Sequence, residues 1–323
     1  MSLKPFVTAV SLVSAMFLTG CDNKSDKQPT EKAPATVSTA TIMINHAQGQ
    51  TEVPVNPAKV IVFNTATLDT MDALNINITG LPKTSVHLPT FLQKYEGQEY
   101  LNAGTLFEPN YEVLSSYKPD LIIAGGRAND AYQKLSDIAP TISLTIDPKD
   151  FLNSLTKTTE QLGQIFNKQA LAQQKLTEFK QKLEQVKAKA ANRGSAMFIL
   201  INGGKMSAYS PGSRFGFVFD ELGFTPAVAF SETGNHGNII NAELLFNADP
   251  DWLFVLDRDS AIGNSNALSA QEVLNNPIVR RTKAWEKNQI IYLDSSSMYI
   301  AGGLQTYDHL LDQVNQALTT SQE

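Results

Sequence analysis

Cysteine is almost missing from this chain: Cys21 is the only one in 323 residues. Beyond that position there can be no disulfide framework, no thiolate metal cluster and no buried catalytic thiol. Stability has to come from a packed core, which 42% apolar and 18% charged residues can supply. Histidine is scarce too. His46, His87 and His309 are scattered, with no His-x-x-x-His spacing and no His-rich loop, so no dedicated zinc site is expected. No excess of positive charge exists, the net charge being −6, and a nucleic-acid partner is not expected. Also lacking are a Gly-x-Ser-x-Gly elbow, a His-Glu-x-x-His pair, a phosphate loop and a Gly-x-Gly-x-x-Gly turn after a strand. An exported hydrolase or metalloenzyme therefore has no motif to carry it, and no catalytic residue is assigned.

What is present begins at the N-terminus. Lys4 precedes an apolar run from Phe6 to Leu18 that is too short for a permanent span, and the run ends in Leu18-Thr19-Gly20-Cys21. Positive start, apolar middle and small-residue end are the marks of a secretory signal; the plainer alternative is an anchor with an incidental cysteine. The ending resembles the bacterial lipobox, which implies removal of residues 1–20 and diacylation of Cys21. Only Lys4 among the charged residues would be lost, leaving 25 basic against 32 acidic side chains, a net charge of −7. The stretch 21–40 has almost nothing to bury and reads as a disordered tether. By the same resemblance, Asp22 directly after the acylated cysteine implies retention in the inner membrane.

From Thr41 onward short apolar runs alternate with helical patterns. Lys59–Phe63, Leu121–Ala124 and Thr141–Leu144 occupy the first half, and Ala196–Ile201, Trp252–Leu256 and Gln289–Leu293 the second. Runs of this kind predict an α/β fold of two Rossmann-like lobes with mostly parallel sheets. The lobes are expected over 41–166 and 194–323, joined through 167–193. Within the connection Ala172, Leu176, Phe179, Leu183 and Val186 recur at steps of four and three. They predict one long, rigid helix over about 168–191, roughly 36 Å long, with Asn167 capping its start and Arg193-Gly194 ending it. A preceding amphipathic helix is expected from Phe151 to Phe166.

An internal repeat ties the halves together. Glu112, Pro119, Asp120 and Arg127 have the same spacing as Glu243, Pro250, Asp251 and Arg258, with an apolar strand between Asp and Arg in each case. Each arginine falls just beyond a strand's carboxyl end, where ligands bind in open α/β sheets. Arg214, in Ser210-Pro-Gly-Ser-Arg-Phe-Gly216, is a third guanidinium on a glycine-bearing loop. Such a trio suits a ligand with several negative oxygens. The bland alternative is surface ion pairing, for instance of Arg258 with Asp257 or Asp259. His236, in a Gly- and Asn-rich loop, is either a ligand contact or a solvated histidine. Glu112 and Glu243 are either matched docking acids or first-turn residues facing a helix dipole.

These features together resemble the siderophore-binding lipoproteins that serve ABC importers, in the branch that handles petrobactin, anguibactin and catecholates. The resemblance covers Thr41 to the C-terminus and rests chiefly on the two Glu...Pro-Asp repeats, Ser213-Arg-Phe-Gly216 and Val255-Leu-Asp-Arg258. It implies a periplasmic, monomeric capture protein that holds a ferric siderophore as transported cargo, with no permanently bound cofactor. It also implies that Arg127, Arg214 and Arg258 line the cleft, with His236 at the family's histidine position. Ser297 stands where the family's iron-binding tyrosine aligns, and Tyr299 lies two residues on. Glu112 and Glu243 occupy the positions that dock the ABC permease. Haem and cobalamin are the alternative cargoes on the same scaffold.

Overall fold

The computed structural model describes residues 40–230 and 236–320. Residues 1–39, with the expected leader, Cys21 and nearly all of the tether, lie outside the described residues. Among those described, no helix is long and apolar enough to cross a membrane.

The fold is α/β, built on two main sheets. A ribbon of β1 (Thr41–His46) and β2 (Gly49–Pro54) precedes the first of them. This sheet comprises β3 (Val60–Val62), β4 (Gly80–Leu81), β5 (Leu101–Asn102), β6 (Leu121–Ala124) and β7 (Thr141–Ser143). Its order is β5-β4-β3-β6-β7, parallel throughout. The second holds β8 (Ser195–Asn202), β9 (Lys205–Tyr209), β10 (Thr225–Pro226), β11 (Asn238–Ile240), β12 (Trp252–Asp257) and β13 (Ile290–Tyr292). Here β8, β12 and β13 are parallel, while β9 and β11 run antiparallel at one edge and β10 pairs with β8. The sheets are mostly parallel, as expected; the one antiparallel edge arises because Asn202-Gly203-Gly204 folds β8 straight back into β9, both glycines having positive φ. All four residues of β6 and the first five of β12 are buried, as strands covered by helices on both faces must be.

Helix Phe151–Ile165 leads into helix Gln169–Ala190, whose buried stripe is Ala172, Leu176, Phe179, Leu183, Val186 and Ala190. Asn167 does not cap this second helix. It sits at φ 55° and closes the first one instead, with the Lys168 N–H donating to the Gly163 carbonyl at 2.8 Å. A left-handed residue at a helix end suits asparagine as well as a cap does, and the short linker leaves room for only one of the two roles.

The lobes also meet directly, at the start of helix Leu304–Thr320, which packs along the long helix through Lys182 with Asp308 and Asp312. Asp69, in helix Thr65–Ala73, is fully buried and accepts from the backbone N–H groups of Gly303 (3.1 Å), Gln305 (2.7 Å) and Thr306 (3.0 Å) and from the Thr306 hydroxyl (2.6 Å). A carboxylate from one lobe thereby satisfies the orphan donors that open a helix of the other. Burial pushes the Asp69 carboxyl up to about 6, against the pull of these four hydrogen bonds.

Candidate ligand-binding site

Both copies of the repeat form the same local structure. Asn110 and Asn241 cap seven-residue helices, Tyr111–Tyr117 and Ala242–Ala248, by accepting from the N–H groups of Val113 and Leu244. Glu112 and Glu243 lie in the first turns, exposed to solvent. Each helix ends on a left-handed residue, Lys118 or Asp249, before a buried proline. Asp120 then accepts from the N–H groups of Ala58 and Lys59 just before β3, and Asp251 from the N–H of Ser195 that opens β8. The aspartate of the repeat is thus a clamp between neighbouring parallel strands, and the strand it begins delivers an arginine.

Arg127 follows β6 through Gly125 and Gly126. A Cβ at Gly125 would stand 2.3 Å from the Leu144 carbonyl oxygen and 2.4 Å from Asn64 Nδ2, and φ is 145°, so glycine is required. The exposed Arg127 guanidinium lies over the ring of Phe107 at 5.0 Å. Arg214 is carried by a loop pinned through Phe215, which is buried and stacked on Phe198 with ring centroids 5.0 Å apart. Arg258 opens the short helix Arg258–Ala261 directly after β12.

Two of these arginines converge on Tyr299. Arg258 donates from Nε to the Tyr299 hydroxyl oxygen at 2.8 Å and from an Nη to Asn202 Oδ1 at 3.0 Å. Arg214 donates to the Tyr299 carbonyl at 2.7 Å, and both guanidiniums lie over the Tyr299 ring, at 4.9 and 5.5 Å. The first lobe abuts this cluster. Thr65 donates its hydroxyl to the carbonyl of Ile300, next to Tyr299; Asn64, packed against Gly125, links Thr65 to the Arg127 loop; Gly212, beside Arg214, faces Lys149. The carboxyl ends of β3, β6 and β7 therefore look across at the loops carrying Arg214 and Tyr299. Tyr299 joins Arg214 with Arg258, while Arg127 stands on the first-lobe side, over Phe107.

Among the described residues none of the three arginines forms an ion pair. The two acids flanking Arg258 are engaged elsewhere: Asp257 accepts from the backbone N–H groups of Ser260 and Ala270, and buried Asp259 from the backbone N–H of Gly203 and the side-chain amide of Asn264. Surface ion pairing is thus not what holds Arg258. Guanidiniums remain charged, and neutral oxygens and rings hold these three without cancelling that charge. The nearby Tyr209 hydroxyl is pushed above its ordinary range by burial, with Arg214 pulling it back.

His236 is exposed, two residues ahead of β11; the preceding part of its loop, 231–235, lies outside the described residues. Gly237, at φ 69°, packs against the Tyr209 ring, which in turn contacts Phe215, next to Arg214. Ser297 is buried, its hydroxyl bonded to Asp294, so the position of the family's tyrosine faces inward. Among the described residues no group of three His, Cys, Asp or Glu side chains is placed to hold a metal ion. Asn202 and Phe107 escaped sequence reasoning, since a lone Asn in a turn and a lone Phe in a loop carry no pattern.

The family model described as periplasmic binding protein matches residues 60–297. The petrobactin-binding protein YclQ of Bacillus subtilis (strain 168) is 33% identical over 315 residues, covering 96% of this chain and 97% of the relative. Its crystal structure superposes with a TM-score of 0.81, covering 86% of this chain and 99% of that one, at 34% identity. The ferric-anguibactin-binding protein FatB of Vibrio anguillarum (strain ATCC 68554 / 775) is 34% identical over 304 residues, 90% of this chain and 91% of the relative. The periplasmic catecholate-siderophore-binding protein VctP of Vibrio cholerae superposes with a TM-score of 0.81 at 28% identity, covering 86% of this chain and all of that one. With the matched stretch spanning most of both lobes, the chain belongs to the periplasmic binding protein family.

Proposed function

We propose that this protein captures an anionic ferric siderophore, of catecholate or mixed catecholate-hydroxamate type, between its lobes and delivers it to an ABC importer. The observation that carries this reading is the set of three arginines that no carboxylate among the described residues neutralises. A chelate whose donor oxygens carry its charge supplies what they lack, through charge-assisted hydrogen bonds. Tyr299 acts chiefly as the scaffold of Arg214 and Arg258, and His236 as a rim contact. The relatives that bind petrobactin and ferric anguibactin support the ligand class.

Glu112 and Glu243, one exposed acid per lobe at matched positions, dock the permease. Cys21 carries the lipid anchor, Asp22 keeps the protein at the inner membrane, and it works there as a monomer.

The test is a calorimetric titration of residues 22–323 against ferric catecholate, mixed catecholate-hydroxamate and hydroxamate chelates, repeated with R127A, R214A and R258A. Each variant loses about ten- to a hundredfold in affinity for the anionic chelate, the range for a hydrogen bond to a charged group. Wild-type affinity in all three variants would refute the site. Haem or cobalamin binding in place of every chelate would refute the ligand class.

A further inference from the structure

Phe107 is 66% exposed, and it is the one aromatic ring among the large apolar side chains that the described residues leave in solvent. Its exposure is built in by the turn that carries it. The Thr105 N–H donates to the Glu108 carbonyl at 2.9 Å, and the Thr105 hydroxyl accepts from the N–H groups of Phe107 (3.3 Å) and Glu108 (3.0 Å). Gly104, at φ 100°, closes the base by pairing with Pro109, and a Cβ there would stand 2.5 Å from the Glu108 carbonyl oxygen. The turn follows β5, so Phe107 stands at the same carboxyl end of the sheet as Arg127, whose guanidinium it faces at 5.0 Å.

Every arginine of the site has a ring beneath it, but the others differ from Phe107 in one respect. Phe215 is buried and Tyr299 is half-buried between two guanidiniums, whereas Phe107 keeps most of its surface open. An apolar ring held in water by a braced turn is a standing cost that a bound ring would remove.

We propose that Phe107 is the specificity-determining residue for aryl-bearing chelates: one ring of the chelate lies against its free face while other donor oxygens of the same chelate pair with the arginines. The inference rests on the siderophore reading above and narrows its substrate class. Ring-free anionic chelates use the arginines alone.

The experiment titrates wild type, F107A and F107W with the ferric complex of a bis-catecholate and with ferric citrate, which has no ring. F107A loses about tenfold in affinity for the catecholate complex, within the reach of one aromatic pair plus its buried area, and F107W restores it. Binding of ferric citrate, at whatever level wild type shows, stays the same in F107A. Unchanged catecholate affinity in F107A, or an equal loss for both chelates, would overturn this inference while leaving the capture reading intact. Wild type that binds neither complex would overturn both. Phe107 being exposed, all three proteins melt at the same temperature.

Discussion

Arg258 donates through Nε to the hydroxyl oxygen of Tyr299, 2.8 Å away, and Arg214 reaches the backbone oxygen of that same residue. A single tyrosine therefore sets the spacing of two guanidiniums that come from loops 44 positions apart in sequence. Its hydroxyl and its carbonyl do separate jobs, which makes them separable by mutation.

Tyr299→Phe removes the acceptor for Arg258 and leaves the ring and the Arg214 bond in place. Affinity for the ferric chelate falls roughly three- to tenfold, the worth of one hydrogen bond that orders a side chain. Titration of the variant beside wild type and R258A checks it; a loss as large as that of R258A would mean that the phenol itself touches the ligand.

Asp69 makes stability depend on pH. Burial raises its carboxyl from the ordinary 3.8 to about 6 in the folded protein, so the native state binds this proton more tightly than the unfolded chain does. Its contribution is fully present below about 3.8 and is lost as pH rises through 6, a change of about 3 kcal/mol for a shift of about two units. Urea unfolding of wild type and D69N between pH 4 and 7 reads this out. D69N is the less stable at low pH, and the gap between the two narrows as pH rises.

The two aspartates of the repeat act alike on stability and leave the ligand alone. Asp120→Ala frees the exposed N–H groups of Ala58 and Lys59 and Asp251→Ala the half-buried N–H of Ser195, each at the start of a core strand, costing about 0.5–1.5 kcal/mol. Denaturant midpoints fall by similar amounts in both variants, with siderophore affinity unchanged.

Charge reversal at the docking acids separates capture from delivery. Glu112→Lys and Glu243→Lys keep their ligand titration curves, since both side chains are exposed and without a hydrogen-bond partner among the described residues, yet they abolish uptake into membrane vesicles carrying the importer. Normal uptake with both reversed would remove these glutamates from the docking surface.

Much of this arrangement is written in local pattern. The step of four and three from Ala172 to Val186 gives the long helix, and the matched spacing from Glu112 to Arg127 and from Glu243 to Arg258 gives two equivalent strand ends. Contacts made across the fold leave no such trace. Nothing near Asp69 says that it closes a helix more than 230 residues later. Asn167 misleads because asparagine serves a helix start and a left-handed stop equally well, and only the backbone decides. The antiparallel turn from β8 into β9 leaves only Gly203-Gly204 as its mark, since an apolar strand reads the same in either direction.

The carboxylate of Asp69 has a consequence for how such proteins can be recombined. The last helix of the chain lacks a side chain of its own at its buried start and takes one from the first lobe. A C-terminal half transplanted onto a relative's N-terminal half would arrive with three backbone donors in need of an acid at that one position. At this contact the halves form a matched pair: a chimera that keeps the arginine loops but loses this acid would carry an intact recognition surface on a body whose lobes are less firmly joined.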